Sequence, residues 1–265
     1  MKKNKIAIIG CGNIGLSIVQ GFIKSNKIDP AMITVTRKNI GPIKNLSKKG
    51  IKVTGNNIEA VKDSRLIIIA VKPYKIKEVL DEIREELSSK KHIIISVATG
   101  ITIDEIHQLM QKRLPLFRAM PNTATYVGES ITCICHKYAL RKDIAAVEEL
   151  FNNLGKSIQI EEDLMEAATI LGACGIAFAL RFIRAMVQGG IQIGFDSATA
   201  ATIANQTVKG AAELLLCNNG HPEKEIDKVT TPKGCTIVGL NEMEHQGFSS
   251  SLIKGIITSY MKIER

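Results

Sequence analysis

Tryptophan is absent from the 265 residues, and aromatic side chains make up only 4%. Proteins that grip single-stranded nucleic acid stack bases on aromatic platforms, so no nucleic-acid partner is expected. No Cys-x-x-Cys pair occurs among the six cysteines at 11, 133, 135, 174, 217 and 235. The chain is too long for a disulfide scaffold, and the thiols read as reduced, in a cytoplasm. The five histidines, at 92, 107, 136, 221 and 245, lack metal-ligand spacing, so no metal site is expected. Long apolar runs are also missing. The longest, Ile170–Leu180, holds 11 residues and stops at Arg181. A membrane span needs about 20, so no membrane partner is expected. Met1–Lys5 followed by Ile6–Ile9 imitates a signal-peptide start. That stretch breaks at Gly10-Cys11-Gly12-Asn13, and export is not expected.

What is present describes a folded, water-soluble chain. Hydrophobic residues reach 45% and charged residues 23%, which excludes disorder. The net charge of +9 is unevenly spread. Residues 1–160 carry 26 basic and 14 acidic residues, whereas 161–265 carry 9 and 12. A basic half suits a small polyanion such as a dinucleotide phosphate.

Strand and helix patterns alternate through the first part. Lys5–Ile9, Ile33–Thr36, Ile51–Thr54, Leu66–Val71, His92–Ser96, Leu116–Ala119 and Ser130–Cys135 read as strands. Helical patterns cover Asn13–Ser25, Pro42–Lys49, Glu59–Asp63, Lys75–Leu87, Asp104–Gln111 and Leu140–Asn153. Such alternation predicts βαβ units and a mostly parallel sheet. Beyond about Gln159 strand signals vanish, and Ala, Gly, Leu and Ile recur at helical spacing. The expectation is an α/β fold: a Rossmann-type dinucleotide-binding domain over 1–160, then an all-helical substrate and dimerisation domain of four to six helices over 161–265.

Gly10-Cys11-Gly12-Asn13-Ile14-Gly15 fits G-x-G-x-x-G between an apolar strand and a helix. The first glycine makes the tight turn and the second lets a pyrophosphate approach the backbone. The third permits close helix–strand packing, and the helix start supplies N–H groups. The second strand ends Thr36-Arg37-Lys38 with no Asp or Glu for ribose hydroxyls. Arg37 and Lys38 suit a 2′-phosphate, and Thr36 could add a hydroxyl. NADP(H) is therefore expected, with NADH as a weaker alternative. Ala70-Val71-Lys72-Pro73 ends a buried strand at its carboxyl end, where ligands bind in such sheets.

Together with these segments, Ser96-Val97-Ala98-Thr99-Gly100, Arg118-Ala119-Met120-Pro121-Asn122-Thr123, Gln206–Ala212, His221-Pro222 and Val229–Leu240 make nearly the whole chain resemble pyrroline-5-carboxylate reductase. The resemblance implies reduction of a cyclic imine, 1-pyrroline-5-carboxylate, to L-proline. It also implies an intertwined homodimer, in some members a ring of dimers. By the same resemblance Asn57, Ala70, Val71, Lys72, Pro73, Ala98, Gly100, Met120 and Pro121 line the cofactor. Asn122, Thr231, Gly234, Cys235 and Thr236 then hold the substrate. On their own chemistry, Pro232 and Gly234 fix a turn that presents backbone N–H groups to a carboxylate. The Thr236 hydroxyl can serve the imine nitrogen, or cap the following helix. Hydride transfer to a C=N bond asks for positioning rather than a covalent nucleophile.

The match breaks at Gly172-Ala173-Cys174-Gly175-Ile176-Ala177-Phe178, where the family usually reads Ser-Gly-Ser-Gly-Pro-Ala-Tyr. Lys233 and Cys235 also depart from the usual substrate loop. These changes keep two alternatives open: a divergent imine reductase, or an NADPH-binding homologue without turnover. Reductases that take a catalytic Lys from a C-terminal helix fit poorly, since residues 161–208 contain no Lys.

Overall fold

A computed structural model of the chain describes residues 4–263. Eight strands form one sheet: β1 (Ile6–Ile9), β2 (Ile33–Thr36), β3 (Lys52–Thr54), β4 (Leu66–Ile69), β5 (Ile93–Ser96), β6 (Leu116–Met120), β7 (Ser130–Lys137) and β8 (Gly155–Gln159). Their order is β3-β2-β1-β4-β5-β6-β7-β8. Every neighbouring pair is parallel except β6–β7. All residues of β1, β2, β4 and β5 are buried, as parallel strands covered on both faces require.

Strand alternation sorts these side chains into two cores. Ile6, Ile8, Leu66, Ile68, Ile93 and Ile95 point to one face, where Ile18, Val19 and Phe22 of helix α1 (Asn13–Ser25) cover them. Ala7, Ile9, Ile67, Ile69 and Ile94 point to the other. There they meet α2 (Asn57–Asp63), α3 (Ile76–Ile83) and α4 (Ile103–Met110). Helix α4 carries a complete capping box between Thr102 and Glu105. Helix α5 (Arg141–Asn152) packs on the first face through Val147, Leu150 and Phe151.

Strand β8 is a departure from the sequence reading, which saw no strand after Cys135. Its residues Gly155-Lys156-Ser157-Ile158-Gln159 are half-buried or exposed, so no apolar run marks them. Backbone pairing with β7 defines this edge strand instead.

A continuous helical stretch follows from Glu162 to Gln192. It holds α6 (Met165–Ala168), a π-helical turn over Thr169–Cys174, and α7 (Gly175–Gln192). Four more helices complete the chain: α8 (Ser197–Asn218), α9 (Pro222–Lys228), α10 (Cys235–His245) and α11 (Phe248–Ile263). Two compact units emerge, one running to Ile176 and the other spanning Ala177–Met261. By their contacts residues 161–176 group with the sheet unit, whereas the sequence pattern groups them with the helical part. An ion cluster around a buried arginine links them to the sheet. Arg118 of β6, 1% exposed, donates to Glu162 Oε1 at 3.0 Å and to Glu166 Oε1 at 2.8 Å. Glu162 also accepts from the Ile103 N–H at 2.7 Å. Burial alone would lower the guanidinium pKa, but the two carboxylates more than reverse that.

The second unit has a thin core of its own. Val187, Ala200 and Ala204 are its buried hydrophobic cluster, while Leu180, Ile193, Leu216, Val238, Ile253 and Met261 lie exposed. The stretch Glu162–Gln192 includes a window of mean hydropathy 1.8, long and apolar enough by length and composition to cross a membrane. Its longest unbroken apolar run is Ile170–Leu180, 11 residues.

Candidate active site

Two features suit the expected chemistry, one in each unit. The first is a cleft of about 630 Å³ at the carboxyl ends of β1, β2, β4 and β5. It gathers Gly10, Gly12, Asn13, Ile14, Arg37, Lys38, Ala70, Val71, Lys72, Pro73 and Ala98 from the expected cofactor set. Lys75, Val97 and Thr99 also line it and were not anticipated. Val97 and Thr99 flank Ala98, and Lys75 lies two residues past Pro73, which was the available signal.

Gly10 adopts φ +86°, and a Cβ there would fall 2.3 Å from Val71 Cγ1. The turn at this position therefore requires glycine. Gly12 opens onto empty space and serves as the N-cap of α1, with no side chain bonded to the helix start. The first N–H groups of α1 are thus left for an anion. Arg37 Nη1 donates to the Cys11 carbonyl at 3.2 Å, which fixes its guanidinium beside that turn. Lys38 and Lys72 are exposed, and Lys75 pairs with Glu78 at 2.6 Å. The residues present fit a dinucleotide with an extra phosphate: an uncapped helix start, an open glycine, and cations at the end of β2.

Several expected cofactor residues turn inward. Cys11 is fully buried in the sheet core, and burial pushes its thiol pKa up to about 11 although Arg37 opposes the shift. Thr36 is 1% exposed, and its hydroxyl donates to Asn57 Oδ1 at 2.6 Å, so it is not free for a phosphate. Asn57 in turn donates to Glu82 at 2.7 Å. Thr36 and Asn57 support the wall rather than line it. Gly15 is buried behind the turn, close to Ala70. Met120 and Pro121 are buried, and Gly100 is exposed outside the cleft.

Asn122 is 5% exposed and fully engaged. Its Oδ1 accepts from the Ala124 N–H at 2.9 Å, while its Nδ2 donates to the Gly172 carbonyl at 3.1 Å. Direct substrate contact was expected of it, but the amide instead ties the loop after β6 to the π-helical turn. That turn contains Gly172–Cys174, part of the segment that departs from the family pattern.

The second feature is the loop before α10. Gly234 donates its N–H to the Thr231 carbonyl at 2.9 Å, and a Cβ at 234 would lie 2.4 Å from Thr231 Oγ1. Lys233 sits at φ +60°. Gly234 is the N-cap, so Cys235 and Thr236 are the first two helical residues and Thr236 is not the cap. No side chain caps this helix either. Its N–H groups and positive dipole end suit a carboxylate, with the Thr236 hydroxyl one turn-position away.

A doubly wound sheet with this glycine turn, followed by helices with only a thin core, is the build of a nucleotide-binding oxidoreductase with a helical assembly domain. Residues 5–100 match the family model described as NADP oxidoreductase, coenzyme F420-dependent, and residues 162–265 match that for pyrroline-5-carboxylate reductase dimerisation. The chain is 45% identical to pyrroline-5-carboxylate reductase 1 of Dictyostelium discoideum, covering 97% of this chain and 48% of that protein. It is 43% identical to pyrroline-5-carboxylate reductase 2 of the same organism, covering 99% and 93%. The chain thus spans about half of the first relative and nearly all of the second. Its fold matches the crystal structure of Plasmodium falciparum pyrroline carboxylate reductase with NADP bound, at a TM-score of 0.90 and 24% identity, covering 99% and 98% of the two chains. The chain belongs to the pyrroline-5-carboxylate reductase family.

Proposed function

We propose that the chain reduces 1-pyrroline-5-carboxylate to L-proline with NADPH, the last step of proline synthesis. The observation that carries this reading is relatedness over nearly the whole chain, joined to a cofactor cleft ending in Arg37 and Lys38. The relative solved with NADP supports the phosphorylated cofactor over NADH. Free cysteines throughout the chain support a reducing, cytoplasmic setting.

The start of α1 and Gly12 receive the pyrophosphate, and Arg37 with Lys38 binds the 2′-phosphate. Bound there, the cofactor supplies the hydride. The uncapped start of α10 holds the substrate carboxylate through backbone N–H groups, with Thr231, Gly234 and Cys235 shaping the turn. The Thr236 hydroxyl hydrogen-bonds the imine nitrogen and directs a proton to it as carbon is reduced. Asn122 orients the β6 loop rather than touching substrate.

The assembly domain runs from about residue 161, a reading supported by the dimerisation match that begins at 162, with its first residues packed on the sheet unit. A second copy, rather than lipid, covers the apolar stretch Glu162–Gln192. Rings of such dimers extend the same reading.

The test is NADPH consumption with pyrroline-5-carboxylate, for the wild type and Thr236→Ala. The variant should lose turnover by about a hundredfold, with the KM for NADPH nearly unchanged. Full activity in T236A refutes the role of Thr236. Turnover only with another imine favours a divergent reductase, and cofactor binding without turnover a non-catalytic homologue.

A further inference from the structure

A second hollow lies at the opposite end of the strands that build the cofactor cleft. Strands β4, β5 and β6 begin there and β7 ends there, so Arg65, Ile93, Pro115 and Tyr138 mark its floor. Its volume is about 700 Å³. Five cations line it, Arg65, Lys90, Lys91, Arg113 and Lys142, against a single carboxylate, Asp143. That carboxylate is already engaged. One oxygen accepts from Arg65 Nη2 at 3.1 Å and the other from the Leu140 N–H at 3.2 Å. Among the described residues, Lys90, Lys91, Arg113 and Lys142 have no carboxylate partner.

The cations sit on a fixed frame. His92, 2% exposed, accepts the Ser88 N–H at Nδ1 (2.9 Å) and donates its own N–H to the Ser88 carbonyl (2.9 Å). This double link pins the turn that presents Lys90 and Lys91. The Lys91 ammonium donates to the Lys62 carbonyl, which orients it without cancelling its charge. The Arg113 guanidinium lies 4.6 Å above the Tyr138 ring, and that ring packs against His107 at 5.1 Å. Uncompensated like charges held on a rigid concave frame repel one another until an anion enters.

We infer that this cavity is a second anion site, distinct from the cofactor cleft, that takes a soluble ligand carrying a phosphate chain. Several separated cations match successive phosphates better than one carboxylate. The hollow is concave, unlike a face for a membrane. The Tyr138 ring already has Arg113 and Lys137 over it and packs against His107, so it is a poor platform for stacking a nucleobase.

Titration calorimetry with inorganic tripolyphosphate tests this on three proteins: wild type, Arg37→Glu/Lys38→Glu, and Arg113→Glu/Lys142→Glu. The first two should bind, whereas the third should bind about tenfold more weakly or worse. Reductase turnover without the anion should be unchanged in the third protein. If it fails to fold, Arg113→Gln/Lys142→Gln replaces it, with the same expectation. The inference is overturned if the wild type does not bind. Equal binding by R113E/K142E, or loss of binding in R37E/K38E alone, also overturns it. Tighter Arg113-dependent binding of a short single-stranded RNA overturns the ligand assignment.

Discussion

At the scale of one side chain, the proposed preference for NADPH rests on Arg37. It sits where an acidic residue would favour the unphosphorylated dinucleotide, and the Cys11 carbonyl holds its guanidinium in place. Arg37→Asp should reduce the NADPH-to-NADH ratio of kcat/KM by about tenfold or more, since a bond to a charged phosphate is lost. An unchanged ratio from steady-state kinetics with both cofactors would remove Arg37 from this role. Single residues also mark the limit of reading a motif. The spacing of Gly10, Gly12 and Gly15 was legible as a motif: Gly10 needs glycine for its positive φ, Gly15 sits tight against the Gly10 carbonyl, and Gly12 stays open. Where each intervening side chain points was not. Cys11 lies between two glycines of the motif yet turns into the core, and Thr36 spends its hydroxyl on Asn57. Asn122 likewise bonds within the protein at both ends of its amide.

Among elements, the helix entry at Glu162–Cys174 is anchored twice, by Arg118 of β6 and by Asn122 in the loop after it. Removing the cation of a buried ion cluster strands its carboxylates, although here both keep partial contact with water. Arg118→Met should therefore lower stability by about 2 to 3 kcal/mol, read as a reduced urea midpoint. Adding Glu162→Gln and Glu166→Gln should recover part of it. A midpoint equal to wild type would show the cluster to be incidental. The strands were legible because continuous apolar runs such as Leu66–Ile69 have few other uses. Strand β8 was not, because an edge strand needs backbone partners more than buried side chains. The π-helical turn escaped for a different reason: one extra residue in a helical turn leaves the small, apolar composition of Thr169–Cys174 unchanged.

For the whole molecule, the two units differ in what they need. The sheet unit closes two cores by itself, whereas the helical unit buries few of its apolar side chains. An 85-residue helical unit with so small a core depends on association for its stability. Sedimentation velocity should give a mass of at least twice 28.9 kDa. On dilution, mass and helical circular dichroism should fall together. A monomer that keeps its full helical signal would contradict an obligate dimer. The excess charge divides the same way. The basic half carries a cationic lining at both ends of its strands, and the acidic half presents one short loop proposed to receive the substrate carboxylate.

The antiparallel pairing of β6 with β7 bears on the order of assembly. Met120 and Cys133 pair across thirteen residues, whereas Ile6 and Leu66 pair across sixty. Closing the shorter loop costs less chain entropy. The hairpin that carries Asn122 is thus the least demanding long-range contact in the sheet, and β1 against β4 among the most demanding. Gly10 meets Val71 just beyond that distant pairing. On chain entropy alone the dinucleotide cleft is expected to be completed late, so that its affinity for ligand should gauge the finished sheet rather than any fragment of it.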